Sequence, residues 1–339
     1  MKTIIIITSI VLVMACRKDP IIQLPPICND TILQIPQNCL GGDYNQYSTD
    51  SYDFILDWMI SPLPTGPFFE YPDPYRYDAP AFNPNNPYEI AYLRIHNDQQ
   101  FVGDLCTFSF CTGEFKIIAD NFLDNLDWGS NGWLIYTAMD YHIYKIKPNG
   151  DSLTQLSNLG GYNRAGKWNP SGTLYWNYRD DGIHVKNKNG EEFHILSTIP
   201  FSPEGWVNDS TFVGWRDNNF YSISIPDEEL TLLNNNWTCA TCPTIFDRIN
   251  MDCFVTNSSN VLKYDLDGSN AVDTIMSNYP SYYFTNGDIS NTSMVNGKLI
   301  LTLVRQDWLS KPDAIINARR HLLLMNTDAS DKRLIELPE

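Results

Sequence analysis

The sequence predicts an all-β chain, a six-bladed β-propeller of four-stranded antiparallel blades, and three observations carry that expectation. A unit of about forty residues recurs, each copy reading as four short strands. Its clearest copies open on Trp128 (WGSNGWLIY), Trp168 (WNPSGTLYW) and Trp206 (WVNDSTFVGW), 40 and 38 residues apart. Twenty-two residues after each tryptophan comes a turn, at Asn149-Gly150, Asn189-Gly190 and Asp227-Glu228, and the same distance back from Asp267-Gly268 lands on Phe246.

A four-stranded sheet of this size buries neither face alone, so copies must stack, and closing the stack into a ring removes the exposed end faces. The first unit takes PAFNPNNPYEIAYLRI, LCTFSF and FKIIAD; the next three start at Trp128, Trp168 and Trp206. A fifth runs from about Thr244 to Met276, and a sixth from near Asp288 through KLILTLV, RHLLLMNTD and KRLIELP. Seven blades result if YDFILDWM near Trp58 starts a further sheet. The recurring tryptophans are expected on the innermost strands, filling the wedge between sheets. Pro62 to Pro80 carries six prolines and is expected to form neither helix nor central strand.

The chain divides into residues 1–15, a lipoprotein signal peptide; 16–51, a tether segment rich in Pro, Asn, Gln and Asp; and 52–339, the propeller domain. Lys2 precedes an apolar run from Ile4 to Ala15 that is too short for the roughly 20 residues of a spanning helix and ends at Cys16. VMAC resembles the lipobox of bacterial lipoproteins, which implies lipid attachment at Cys16. Arg17, Lys18 and Asp19 resemble the export signal of some Bacteroidetes lipoproteins, implying an outer-membrane lipoprotein facing the periplasm or the cell surface.

The formal charge of −17 makes nucleic acid an unlikely partner, because phosphate backbones are bound through Lys and Arg. Eight cysteines are present. Cys28 and Cys39 bracket a loop and are one candidate disulfide; Cys239 and Cys242 form a CxxC read as a local disulfide, since exported chains favour disulfides over thiolate metal sites. Cys106 and Cys111 are too far apart along an extended strand to pair. His184 falls where other repeats place Tyr144, Tyr221 and Leu262, and is read as structural.

Asp140, Asp180 and Asp217 each lie ten residues before their repeat's turn, in equivalent loops between second and third strands. With Arg179 and Arg216 they are the candidate partner-binding arc; against this, Asp favours turns by bonding its own backbone. No catalytic residue, metal ligand set or cofactor motif is expected: the chain has no G-x-S-x-G pentapeptide, and His96, His142, His194 and His321 show no converging spacing.

The order aromatic residue, N-P-S-G or a similar turn, apolar strand, then IY and a closing G resembles the WD-like propeller repeat of the TolB family. That resemblance implies a periplasmic, non-catalytic module that binds or scaffolds envelope proteins. The alternatives are a calcium-dependent hydrolase or lyase using the central channel, or a surface receptor for a glycan or peptide.

Overall fold

The computed structural model describes residues 48–51, 75–96, 103–157, 163–179, 182–196, 201–225, 227–235, 244–257, 260–266, 272–276, 282–291, 296–305, 319–335 and 337–338. Every regular element among them is a strand, and each pairing is antiparallel. β1 (Ser48–Ser51) belongs to the last sheet. β2 (Tyr75–Asn83), β3 (Asn86–His96), β4 (Gly103–Ser109), β5 (Phe115–Trp128), β6 (Leu134–Ala138), β7 (Ile143–Ile146) and β8 (Thr154–Gln155) form one seven-stranded sheet in sequence order. β5 is 14 residues long; residues 115–122 pair with β4 and residues 122–128 with β6. One strand thus closes the first repeat and opens the second.

Three four-stranded sheets follow: β9 (Arg164–Trp168) to β12 (Glu192–Leu196), with β10 (Leu174–Arg179) and β11 (Gly182–Asn187) between; β13 (Ser202–Asn208), β14 (Thr211–Arg216), β15 (Asn219–Ser224) and β16 (Leu230–Asn234); and β17 (Thr244–Asp247), β18 (Asp252–Asn257), β19 (Asn260–Asp265) and β20 (Val272–Met276). The last sheet joins β21 (Tyr282–Asn291), β22 (Asn296–Arg305), β23 (Arg319–Asn326) and β24 (Arg333–Ile335), with β1 added on the outside of β24. Ser48–Ser51, the end of the segment read as a tether, is therefore a strand. The arrangement is propeller-like; the repeats read around Trp168, Trp206 and Phe246 each fall on one four-stranded sheet, whereas the first two share the seven-stranded sheet and the last sheet begins at Tyr282, before Asp288.

Aromatic and branched residues fill the layers between neighbouring sheets. Trp128 packs among Phe122, Leu134 and Tyr136; Trp168 meets Tyr175 edge-on at 5.3 Å; Trp206 meets Phe212 edge-on at 5.3 Å, with Leu174 and Trp176 of the preceding sheet in the same cluster. The expected inner-strand position of the tryptophans is observed: Trp128, Trp168 and Trp206 lie on β5, β9 and β13, which contact one another around the axis.

Inner strands are tied to their neighbours by carboxylates. Asp127 Oδ2 accepts the Trp168 N–H at 2.7 Å, and Asp288 Oδ2 accepts the Phe82 N–H at 2.8 Å. The second bond joins β21 to β2, the last sheet to the first, and Asn286 Nδ2 donates to Asp78 Oδ1 beside it at 3.1 Å. On one face the turns between first and second strands clasp each other: Asn85 Nδ2 donates to Ser130 O, Ser130 Oγ to Pro170 O, and the Ser171 N–H to Asp209 Oδ1.

The proline-rich stretch enters a sheet without forming a helix or a central strand: β2 pairs only with β3 and is the edge of its sheet. Tyr75 to Pro80, the end of the proline-rich stretch, is part of β2, an inner strand. The register of β2 on β3 slips between Asp78 and Ala81, where Ala79 takes φ 47°. Pro80 sits in that bulge, where the ladder asks no N–H of it.

Candidate functional site

A channel runs between the inner strands, with a wide cavity of about 700 Å³ toward the loops joining second to third strands and a narrow one of about 100 Å³ toward the opposite turns. The wide cavity is walled by Trp176 and Tyr178 of β10, Phe201 and Glu204 before and on β13, Trp215 and Arg216 of β14, and Asp124, Arg164 and Asp288. Lys167 and Asp288 line both cavities and mark the waist between them.

The placement follows from register. Asp127, Lys167 and Asp288 each precede the large apolar residue of an inner strand: Trp128, Trp168 and Ile289. Alternation sends the large residue to one face of its sheet and its neighbour to the other, where Asp127 meets β9 and Asp288 meets β2 beside the channel. Trp176 lies against Gly166 so closely that a Cβ there would collide with the indole and its carbonyl oxygen, which is why glycine stands at that position.

Burial raises the carboxyls that face the channel. It pushes Asp127 up to about 7, with nearby Asp288 adding to the effect and Lys167 and two backbone N–H groups opposing it. Glu204 is likewise pushed up to about 7, against the opposing hydrogen bonds of Thr244, Trp215 and Ser202. Its Oε1 accepts Trp215 Nε1 at 3.0 Å and its Oε2 accepts the Thr244 hydroxyl, linking β13, β14 and β17. Asp288 and Asp124 are also raised by burial.

The residues singled out in the sequence divide. Arg216 and Asp217 stand at the wide mouth, with Arg216 Nε 3.1 Å from Asp217 Oδ2. Asp217 and Asn218 both take positive φ, 49° and 61°, as a two-residue hairpin of this kind requires. Asp140 accepts the Tyr144 hydroxyl at 2.7 Å and the His142 N–H at 3.0 Å, so its carboxylate is engaged in its own turn and is not part of the cavity wall. Arg179 ends β10, outside the lining. Asp180, Cys16, Cys28, Cys39, Cys239 and Cys242 lie outside the described residues. Cys106 and Cys253 are buried free thiols, and Cys111 is disulfide-bonded. His184 is buried with Nδ1 3.1 Å from Glu192, and among the described residues no three His, Cys, Asp or Glu side chains gather as metal ligands.

Sequence reading missed Lys167, Trp176, Tyr178, Glu204 and Trp215. For Lys167 the signal was available in the position before the repeated tryptophan; for the others it was the alternation along β10, β13 and β14.

No protein-family model and no curated protein matches the chain. Among solved structures it is similar to a putative TolB from Agrobacterium tumefaciens, 15% identical, covering 65% of this chain and 83% of that one with a TM-score of 0.49. It is similar also to TolB from Acinetobacter baumannii, 11% identical, covering 77% of this chain and 54% of that one with a TM-score of 0.38.

Proposed function

We propose that this chain is a non-catalytic propeller of the bacterial cell envelope, anchored to the outer membrane through acylated Cys16, that binds a segment of a partner protein at the wide mouth of its channel. The ring has six blades on this reading: the seven-stranded sheet counts as two that share β5, and the last carries β1 as a fifth, outer strand. The 16-residue start ending in VMAC supports the anchor and the address. Two adjacent turns, Arg216 and Asp217 and the end of β10, supply the mouth.

One observation carries the binding role. Tyr178 (46% exposed), Trp215 and Arg216 stand together at the mouth, and Met139 and Tyr141 are exposed on the equivalent loop of the preceding repeat. Tyr, Trp, Met and Arg are the side chains enriched in the centres of protein interfaces, because they bury large areas at low entropic cost while keeping a polar handle. A calcium-dependent hydrolase is less well supported, since the channel carboxyls already receive N–H and O–H donors from neighbouring strands.

The test is affinity purification of the tagged protein from membranes, followed by mass spectrometry, in parallel with a Tyr178→Ser/Arg216→Ala variant. A partner enriched by the parent and lost by the variant, at unchanged melting temperature, is the expected result. Equal recovery of the same partners by both proteins rules out the mouth as the binding site.

A further inference from the structure

Cys111 is disulfide-bonded, while Cys106 and Cys253, the other cysteines among the described residues, are free thiols. Its partner is therefore one of Cys16, Cys28, Cys39, Cys239 and Cys242. Cys111 is half-buried in the turn between β4 and β5, where the Gly113 N–H donates to Ser109 O at 2.8 Å. The adjacent Phe110 N–H donates to Tyr88 O at 2.8 Å, close to the β2–β3 turn whose Phe82 and Pro84 line the narrow end of the channel. Cys239 and Cys242 stand five and two residues before Thr244, which opens β17 at the wide mouth. A seven-residue strand such as β4 sets the two ends about 20 Å apart. Five extended residues reach at most about 18 Å, and Cys111 and β17 also belong to different sheets.

Cys39 is the cysteine within reach. It belongs with Thr31–Glu339, one compact unit, whereas Cys16 and Cys28 fall in the other, Met1–Asp30. Nine residues lead from Cys39 to Ser48, which pairs with Ile335 of β24. Ile335 shares a core cluster with Phe110, the neighbour of Cys111. Nine residues extend to about 30 Å, and a disulfide needs Cα atoms within about 7 Å, so the chain is long enough with slack. We propose that Cys111 is bonded to Cys39, which fastens the stretch leading into β1 to the first sheet while β1 itself lies on the last. The seam between those sheets, already joined by the Phe82–Asp288 and Asn286–Asp78 hydrogen bonds, then carries a covalent strap. Cys39 is thereby taken from Cys28, and Cys239 and Cys242 are left to each other. Forming the bond removes two protons and two electrons from the thiols of Cys39 and Cys111. A disulfide oxidant accepts them and leaves as a dithiol, a step that draws on the proposed envelope address.

The experiment maps disulfides in the full chain, purified from membranes in detergent with free thiols blocked by N-ethylmaleimide before digestion. Chymotrypsin cuts after Leu33 and Phe108, which separates Cys28 from Cys39 and Cys106 from Cys111. Mass spectrometry is expected to find a peptide pair that joins Cys39 to Cys111 and comes apart on reduction. Cys39→Ser and Cys111→Ser should each lower the melting temperature by about 5–10 °C, the effect of opening a loop of about 70 residues, and the double variant should fall no further. Cys28→Ser should melt with the parent. Cys111 joined to Cys28, Cys239 or Cys242, or recovered as its maleimide adduct, overturns the proposal, as does a disulfide-linked dimer. Where the serine variants do not fold, the peptide map of the parent decides. A free Cys111 in a chain whose Cys16 is acylated sinks the pairing and leaves the envelope address standing; without the acyl group the address falls too.

Discussion

Glu204→Gln should make the protein more stable at pH 8 and leave it unchanged at pH 4.5. The carboxyl of Glu204 is raised by burial from its ordinary 4.5 to about 7. Below about pH 4.5 it is protonated both folded and unfolded, so it brings no penalty. As pH climbs through 7 the unfolded chain has already released this proton while the folded one must ionise a half-buried group, and stability is lost across that window. From 4.5 to about 7 the full effect is roughly 3 kcal/mol at about 1.4 kcal/mol per pH unit. Since the carboxyl borders the cavity, solvent screening brings the expected gain at pH 8 down to about 1–2 kcal/mol. Glutamine keeps one oxygen to accept Trp215 Nε1, and the Thr244 hydroxyl rotates to accept from the new amide, so the packing between β13, β14 and β17 is retained. Urea unfolding followed by tryptophan fluorescence at pH 4.5, 6 and 8 measures the difference. Asp127, Asp124 and Asp288 impose a pH slope on both proteins, so only the difference between the two curves reports on Glu204. A variant less stable than the parent at pH 8, or one with an identical pH slope, refutes the reasoning.

Asp288→Ala removes the acceptor of the Phe82 N–H at the junction of last and first sheets; it should lower stability by about 1–3 kcal/mol and speed amide exchange at Phe82 before other inner-strand amides. Gly205→Ala sets a Cβ about 2.6 Å from Phe246 Cδ1 and 2.9 Å from its Cβ, an overpacking expected to cost about 1–3 kcal/mol in the same unfolding assay. Burial pushes the Cys106 thiol up to about 12, and Cys253 well above the ordinary thiol range, so neither should react with a disulfide reagent at pH 8 until denaturant is added. Prompt labelling of either in the native protein contradicts the packing described for β4 and β18.

Most strands and their stacking were legible in the sequence, because aromatic residues at a fixed repeat position and turn residues at a fixed distance are local signals that each copy restates. Trp128, Trp168 and Trp206 could be assigned to inner strands before any coordinate. It also bore the turn chemistry of Asp140, whose carboxylate accepts from His142 and Tyr144 just after it. Only the tertiary structure decided that Pro80 fits an inner strand, since a bulge is a property of two strands in register. The channel was likewise invisible to it. Asp127, Lys167, Glu204 and Asp288 come from four strands spread over more than 160 residues, and nothing in their spacing says that they share one axis. Their meeting is created by ring closure, which joins β21 to β2 across 206 residues, and so is the burial that raises their carboxyls.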